Sequence, residues 1–399
     1  MRNSQLQPRL TLQQLLSKHL PDLQDQFNGH QLRVLNALSK CKTADLGGHK
    51  EQCSSCGHTK IHYNSCGNRH CPGCQGANRE RWLMEREHDL FDVPYHHVVF
   101  TLPSQLRQLF YHNQKLLYNL LFESMWGTLL SFSKDKRSRL QAQIGVIAIL
   151  HTWTQQLDYH PHLHCLVPSG GFKNGSWKKK EGDFLFSVKA LSVVFKQKLC
   201  DGLKKYFQNQ LLHTELSSYD FERFITAVSH KKWVIYSKPG FRGKESVLEY
   251  LGRYTHRIAI SNYRLLSQKG DQITFSYRDR KAGDVKKTKT LRVKEFLTRF
   301  SYHILPRGFV KIRSYGLFAN RNKQELLPKV FEALKQIQPP KEQKLSLLEV
   351  VKRSTGTDLT CCPKCKAGKM LVIEELPPAN KGSPRMFTAL RRKEVLCSW

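Results

Sequence analysis

The segment Tyr159-His160-Pro161-His162-Leu163-His164-Cys165-Leu166-Val167 constrains this chain more than any other. It reads as a β-strand, in which successive side chains point to opposite faces. His162 and His164 then share one face, while Leu163, Cys165 and Val167 share the other and can pack on a core. Two neutral imidazoles held side by side on a rigid strand make half of a divalent-metal site. The rest of the chain must supply a third ligand and something for the metal to polarise.

A candidate for the third ligand lies just upstream. The β-rich run Val146-Ile147-Ala148-Ile149-Leu150-His151 ends on an imidazole, and Thr154 to Pro161 forms the connection. A hairpin of that length can set His151 beside His162 and His164 on one sheet face. His160 and Gln155 are rivals for the position. Ile147 and Ile149 would share the face of His151, which counts against an open site, and the plain alternative is a half-buried strand histidine.

Residues Glu245 to Ile260 read as a helix that carries Val247-Leu248-Glu249-Tyr250-Leu251-Gly252-Arg253-Tyr254-Thr255-His256-Arg257. Tyr250 and Tyr254 stand four apart, so both hydroxyls project from one face. Arg253 and Arg257 flank that face and could hold phosphates bidentately. Val247, Leu251 and Ile258 form an adjacent apolar stripe. Gly252 costs about 1 kcal/mol in a helix interior, which suggests close approach of a strand or of DNA. Paired tyrosines on a helix usually just pack, but beside a histidine strand they could be nucleophiles. A phenol of pKa about 10 attacks poorly at neutral pH, and a divalent ion on a scissile phosphate would stabilise the transition state.

The charge balance points to the same substrate. Lys+Arg number 65 against 32 Asp+Glu, a net +33, spread from end to end. Such an excess self-repels unless a polyanion neutralises it, so nucleic acid is the expected partner and binding should weaken steeply with salt. The chain has no apolar run long enough to span a membrane and its start lacks a signal-peptide core. Twelve cysteines then argue for metal ligation in a reducing, cytoplasmic setting rather than disulfides, and a bacterial nucleoid is the expected address.

Residues 41–74 concentrate Cys, His and Gly. Cys53-x2-Cys56 and Cys71-x2-Cys74 have the four-thiolate spacing of a zinc ribbon or finger. Cys41, His49, Cys66 and His70 interleave with them and could form a second, cross-braced site, giving one or two structural Zn²⁺. At the other end, Cys362-x2-Cys365 is half a site that Cys361 or Cys397 could extend. The expected layout is a helical segment over 1–40, a zinc-binding domain over 41–92, a catalytic domain over 93–325 and a basic C-terminal region over 326–399. A hairpin is expected from Ile273–Tyr277 and Thr288–Val293.

In combination these motifs resemble the HUH endonucleases, and among them the two-tyrosine transposases of rolling-circle insertion sequences. His162-Leu163-His164 matches the HUH strand and Tyr250-x3-Tyr254 the tyrosine pair. Cys41 to His49 and Asn68 to Cys74 are similar to that family's N-terminal zinc-binding domain. Pro94 to Pro103 and Leu305-Pro306-Arg307-Gly308-Phe309 are similar to segments of its transposase domain. The resemblance implies an α+β fold, an antiparallel sheet with flanking helices on the ferredoxin/RRM plan, preceded by a small zinc-binding domain. It implies Mg²⁺ or Mn²⁺ at the histidines, with His151 in the role a further His plays in relaxase-like members. It further implies cleavage and rejoining of single-stranded DNA at transposon ends through 5′-phosphotyrosine intermediates, and the basic residues around the cysteine module suit binding of a DNA hairpin as well. An HUH replication initiator or relaxase would share the site, although the absence of a GxxxxGK[ST] P-loop in the sequence favours a transposase. A non-catalytic zinc DNA-binding protein is the alternative of another class.

Overall fold

The computed structural model describes residues 10–180, 185–241, 243–255, 257–279, 282–340 and 345–379. At its centre is a five-stranded antiparallel sheet in the order Ile312–Gly316, Gly145–Trp153, Tyr159–Pro168, Tyr95–Thr101, Ile235–Phe241. The inner strands are buried on both faces, so they read as nearly continuous apolar runs. One face sets Val98, Phe100, Val146, Ala148, Leu150, Leu163, Cys165 and Val167 in a core under the two long helices Gln114–Lys134 and Val188–Gln208. The other carries Ile147, Ile149 and Leu166, capped by Val247 and Leu251 of helix Lys244–Tyr254 and by Leu327, Val330 and Phe331 of helix Lys323–Ala333.

The hairpin between the two central strands fixes the register. Its turn is closed by Thr154 N–H donating to the Asp158 carbonyl at 2.9 Å and by the Thr154 hydroxyl on the Asp158 carboxylate at 2.9 Å. Arg299 donates to that carboxylate at 2.6 Å. His151 then lies opposite His162, and both Ile149 and Val99 lie opposite His164. A one-residue slip would turn every histidine into the core and Leu163, Cys165 and Val167 out of it, so the apolar face holds the polar one in place.

Two smaller units flank the sheet. Helices Leu12–His19 and Gly29–Ser39 bury Leu15, Leu16, Leu35 and Leu38 against Ile273, Phe275, Phe296 and Leu297. The last four come from a three-stranded sheet, Leu265–Lys269, Gln272–Asp279 and Val285–Arg292, and its following helix Val293–Ser301. The expected hairpin is therefore present, longer than the sequence suggested and with a third strand. In the second unit Gly48–Cys53 pairs with Thr59–Tyr63 on one side and with Met370–Leu376 on the other. The C-terminal segment thus adds a strand to the N-terminal module.

The tyrosine helix is shorter than its apolar periodicity suggests. It spans Lys244–Tyr254, and the Thr255 hydroxyl donates back to the Leu251 carbonyl at 2.8 Å as the helix ends. Ile258 and Arg257 therefore lie beyond it rather than on its faces. Among the described residues no helix is long and apolar enough to cross a membrane.

Candidate active site

Strand alternation and register bring His151, His162 and His164 together on the face opposite the main core, with one ligating nitrogen of each within 4.8 Å of the others. Their ring centroids stand 4.6 Å (His151–His164), 4.9 Å (His162–His164) and 5.6 Å (His151–His162) apart. The surrounding bonds define tautomers. His151 Nε2 donates to the Tyr254 carbonyl at 2.8 Å, and His162 Nδ1 donates to the His160 carbonyl at 2.7 Å. A carbonyl only accepts, so in the neutral rings the lone pairs sit on His151 Nδ1 and His162 Nε2. His164 Nδ1 is 2.9 Å from His97 Nε2, the outer hydrogen bond that ordinarily orients a metal-ligating imidazole.

Burial, the leading cause, holds His151 and His164 well below the ordinary histidine value, and neighbouring imidazoles add to it. Both rings are therefore neutral at physiological pH, the form that ligates. Three imidazole nitrogens suit a divalent cation and leave coordination positions for water or a phosphate oxygen. The rivals for the third position fall elsewhere. His160 faces Arg107 at 3.4 Å, and burial pushes it down to about 4. Gln155 lies in the hairpin turn, where its carbonyl accepts from Arg264.

The tyrosine helix lies across these histidines. Tyr254 lies tilted at 4.5 Å from His164 and stacks at 5.9 Å on His151, and Tyr250 sits 4.5 Å from Tyr254 and 4.7 Å from His97. The two are unequal: Tyr250 is 4% exposed while Tyr254 is half-buried. Burial, aided by Tyr254, holds the Tyr250 phenol well above 10. Gly252 lies at a helix crossing rather than under a strand. A Cβ there would come within 3.0 Å of Leu83 Cδ1, on helix Gln75–Glu87, the helix that leaves the cysteine module.

Next to the metal-type cluster is a small cationic cavity lined by Arg69, Arg257 and Lys311, with His70, His303 and Trp153, the last stacked 4.6 Å from His151. Its lining contains no acidic residue. Lys311 Nζ donates to the Arg257 carbonyl at 3.3 Å and Arg69 to the Phe309 carbonyl at 2.6 Å. Burial and the Arg69 charge push the Lys311 ammonium down to about 7. Arg257, expected on the tyrosine helix, joins this cavity instead; the side chain of Arg253 lies outside the described residues. Sequence reading missed His97, Arg69 and Lys311 as a group. The only signal was the segment around His97, on a strand that pairs directly with the histidine strand.

Comparison with known proteins bears on this arrangement. A family model described as "Transposase zinc-binding domain" matches residues 12–102, and one described as "Putative transposase" matches residues 145–325. The chain is 40% identical over 372 residues to "Putative transposase y4qJ" of Sinorhizobium fredii, across 90% of this chain and 92% of that one. This chain belongs to the transposase family. It is also 31% identical over 346 residues to "Transposase for insertion sequence element IS801" of Pseudomonas savastanoi pv. phaseolicola, across 84% of this chain and 82% of that one. No solved structure matches it.

In this transposase the cysteines group differently from their order in sequence. Cys71 and Cys74 do not join Cys53 and Cys56; they cluster with Cys41 and Cys66. Sulfur separations there are 3.5 Å (Cys41–Cys74), 3.5 Å (Cys41–Cys71) and 3.7 Å (Cys66–Cys74). A zinc–sulfur bond of about 2.3 Å in a tetrahedron puts sulfurs about 3.8 Å apart, so the donor set fits Zn²⁺. Cys53 and Cys56 cluster instead with Cys362 and Cys365.

The two histidines expected as ligands lie outside both clusters. His49 stacks on His62 at 5.4 Å and faces Glu51 at 3.4 Å. His70 lines the cationic cavity, where its Nε2 accepts from Leu305 N–H at 3.4 Å. Cys361 is in neither cluster, and Cys397 lies outside the described residues.

Proposed function

We propose that this transposase cleaves and rejoins single-stranded DNA at the ends of an insertion sequence through tyrosine attack on the phosphodiester. The observation that carries the reading is the contact of Tyr254, 4.5 Å from His164 between ring centroids, with a cluster of three imidazoles built by one hairpin register. His151, His162 and His164 would hold Mg²⁺ or Mn²⁺, which supplies charge withdrawal from the scissile phosphate when bound. His97 fixes the ring of His164. Arg257, Lys311 and Arg69 supply a cationic cavity beside the cluster for an adjoining backbone phosphate.

In the step itself a tyrosine oxygen forms a bond to phosphorus and the P–O3′ bond breaks. The phenolic proton ends on the departing 3′-oxygen. The 5′ end stays on the protein as a phosphotyrosine, and attack by another strand's 3′-OH reverses the exchange and rejoins DNA. Two tyrosines let one retain a donor end while the other cleaves the next junction.

The test is a labelled single-stranded oligonucleotide carrying the element's end, with Mn²⁺ present. Wild type is expected to form a covalent adduct, and Tyr250→Phe with Tyr254→Phe to form none. His162→Ala with His164→Ala should lose cleavage and keep most binding, because affinity comes largely from phosphate contacts. Adduct in the double tyrosine variant would overturn the assignment.

A further inference from the structure

The cysteine module uses only half of its paired thiols for the cluster built from Cys41, Cys66, Cys71 and Cys74. Cys53 and Cys56 face the opposite end of the chain. Cys53 Sγ is 3.6 Å from Cys365 Sγ, and Cys56 Sγ is 3.7 Å from Cys362 Sγ. A disulfide would need about 2.05 Å, whereas a tetrahedral tetrathiolate needs about 3.8 Å. We propose that Cys53, Cys56, Cys362 and Cys365 form a second Zn²⁺ site that clasps the C-terminal segment to the N-terminal module. Neither family match reaches Cys362 or Cys365, since the two end at residues 102 and 325. The inference is independent of the tyrosine chemistry.

Local structure on both sides supports it. Each C-x2-C turn is followed by a residue with positive φ, Gly57 at +67° and Lys366 at +59°, so both chains curl round their sulfurs in the same way. Ser55 and Cys56 direct backbone N–H groups at Cys53 Sγ, 3.4 and 3.5 Å away, and Gly368 directs its own at Cys365 Sγ at 3.4 Å. Such donors stabilise thiolate charge. Gly368 is needed for the approach itself, because a Cβ there would lie 2.4 Å from Cys53 Sγ.

Two backbone features lock the pieces together. Strand Met370–Leu376 pairs with Gly48–Cys53, and Ser54 N–H donates to the Lys369 carbonyl at 2.9 Å. Almost nothing apolar holds this junction. Among the described residues, its buried cluster contains only Cys53, Cys362 and Met370, with Cys365 against it. A contact of that size cannot bury enough surface to order two chain segments and needs a staple. Four converging thiols in a chain without a bridging disulfide among the described cysteines supply one.

The consequence reaches the tyrosines. Helix Leu347–Thr355, just before the clasp, packs against helix Gln75–Glu87, whose Leu83 in turn covers Gly252 of the tyrosine helix. The clasp thereby closes a layer of structure behind the candidate active site.

Thiol labelling of the wild-type full chain tests the proposal without mutation. Cys56 is exposed, and Cys361 beside the clasp is half-buried and outside the cluster. In native protein Cys53, Cys56, Cys362 and Cys365 should alkylate roughly tenfold or more slower than Cys361, and a strong zinc chelator should abolish the difference. Metal analysis should find two Zn²⁺ per chain. The count should fall to one in Cys362→Ser/Cys365→Ser, to one in Cys53→Ser/Cys56→Ser, and no further when all four are changed. Alkylation of Cys56 as fast as Cys361 in untreated protein would overturn the proposal. So would one Zn²⁺ per wild-type chain, or two retained in Cys362→Ser/Cys365→Ser.

Discussion

Lys311→Met isolates the cost of the cationic cavity from its use. The lysine is held near 7 by burial and by Arg69, against 10.5 for an ordinary lysine, which corresponds to about 5 kcal/mol. Part of the side chain reaches solvent, so roughly half of that is a fair share for the fold. Methionine keeps the stem's packing and removes one donor from the Arg257 carbonyl, a loss of about 1 kcal/mol. The DNA-free variant should therefore be about 1–3 kcal/mol more stable at pH 7.

The pH dependence gives the sign. Between about 7 and 10 the unfolded lysine holds a proton that the folded one has lost, so wild-type stability should rise with pH across that window. The variant should lack this part of the rise, and the two melting curves should converge toward its alkaline end. Thermal melting at several pH values measures both. On DNA the order reverses, with weaker binding and a salt slope smaller by about one contact. A Lys311→Met protein that melts below wild type throughout, with an unchanged salt slope, would refute the argument.

Three further outcomes are expected. Tyr254→Phe should reduce first-strand adduct by roughly tenfold or more while Tyr250→Phe reduces mainly strand transfer, since the buried Tyr250 phenol is held well above 10; gel resolution of adduct and joined product separates the two. His97→Ala should weaken Mn²⁺ binding by about 10–100-fold with little change in oligonucleotide affinity, read by metal titration of cleavage and by gel shift. Gly252→Leu should destabilise by about 1–3 kcal/mol through overpacking on Leu83, and denaturation together with adduct yield would show whether the helix crossing also sets tyrosine position.

Much of the candidate active site was legible because it depends on short-range periodicity. Alternation along Tyr159–Pro168 puts His162 and His164 on one face, and spacing of four puts Tyr250 and Tyr254 on one side of a helix. The apolar run ending at His151 marked the neighbouring strand, and only its antiparallel register, His151 opposite His162, decides that the third imidazole arrives. The end of the tyrosine helix was misread because Arg257 and Ile258 continue the pattern while Thr255 turns back on Leu251. The short strand Ile312–Gly316 and the strand Met370–Leu376 escaped notice, being an edge strand and a partly exposed one whose partners lie far away in sequence.

By itself, then, the sequence determined the kinds of chemistry present: paired imidazoles, paired phenols, paired thiols and a cationic surface. Those follow from residue type and from periods of two and 3.6. Which thiols meet was decided only in three dimensions. A tetrathiolate joins four sulfurs across about 3.8 Å of space, and strand pairing between Gly48–Cys53 and Met370–Leu376 brings Cys362 and Cys365 nearer to Cys53 than Cys71 and Cys74 come. The same holds for Lys311 and Arg69, ordinary basic residues in sequence that folding brings together in one cavity whose lining holds no acidic residue.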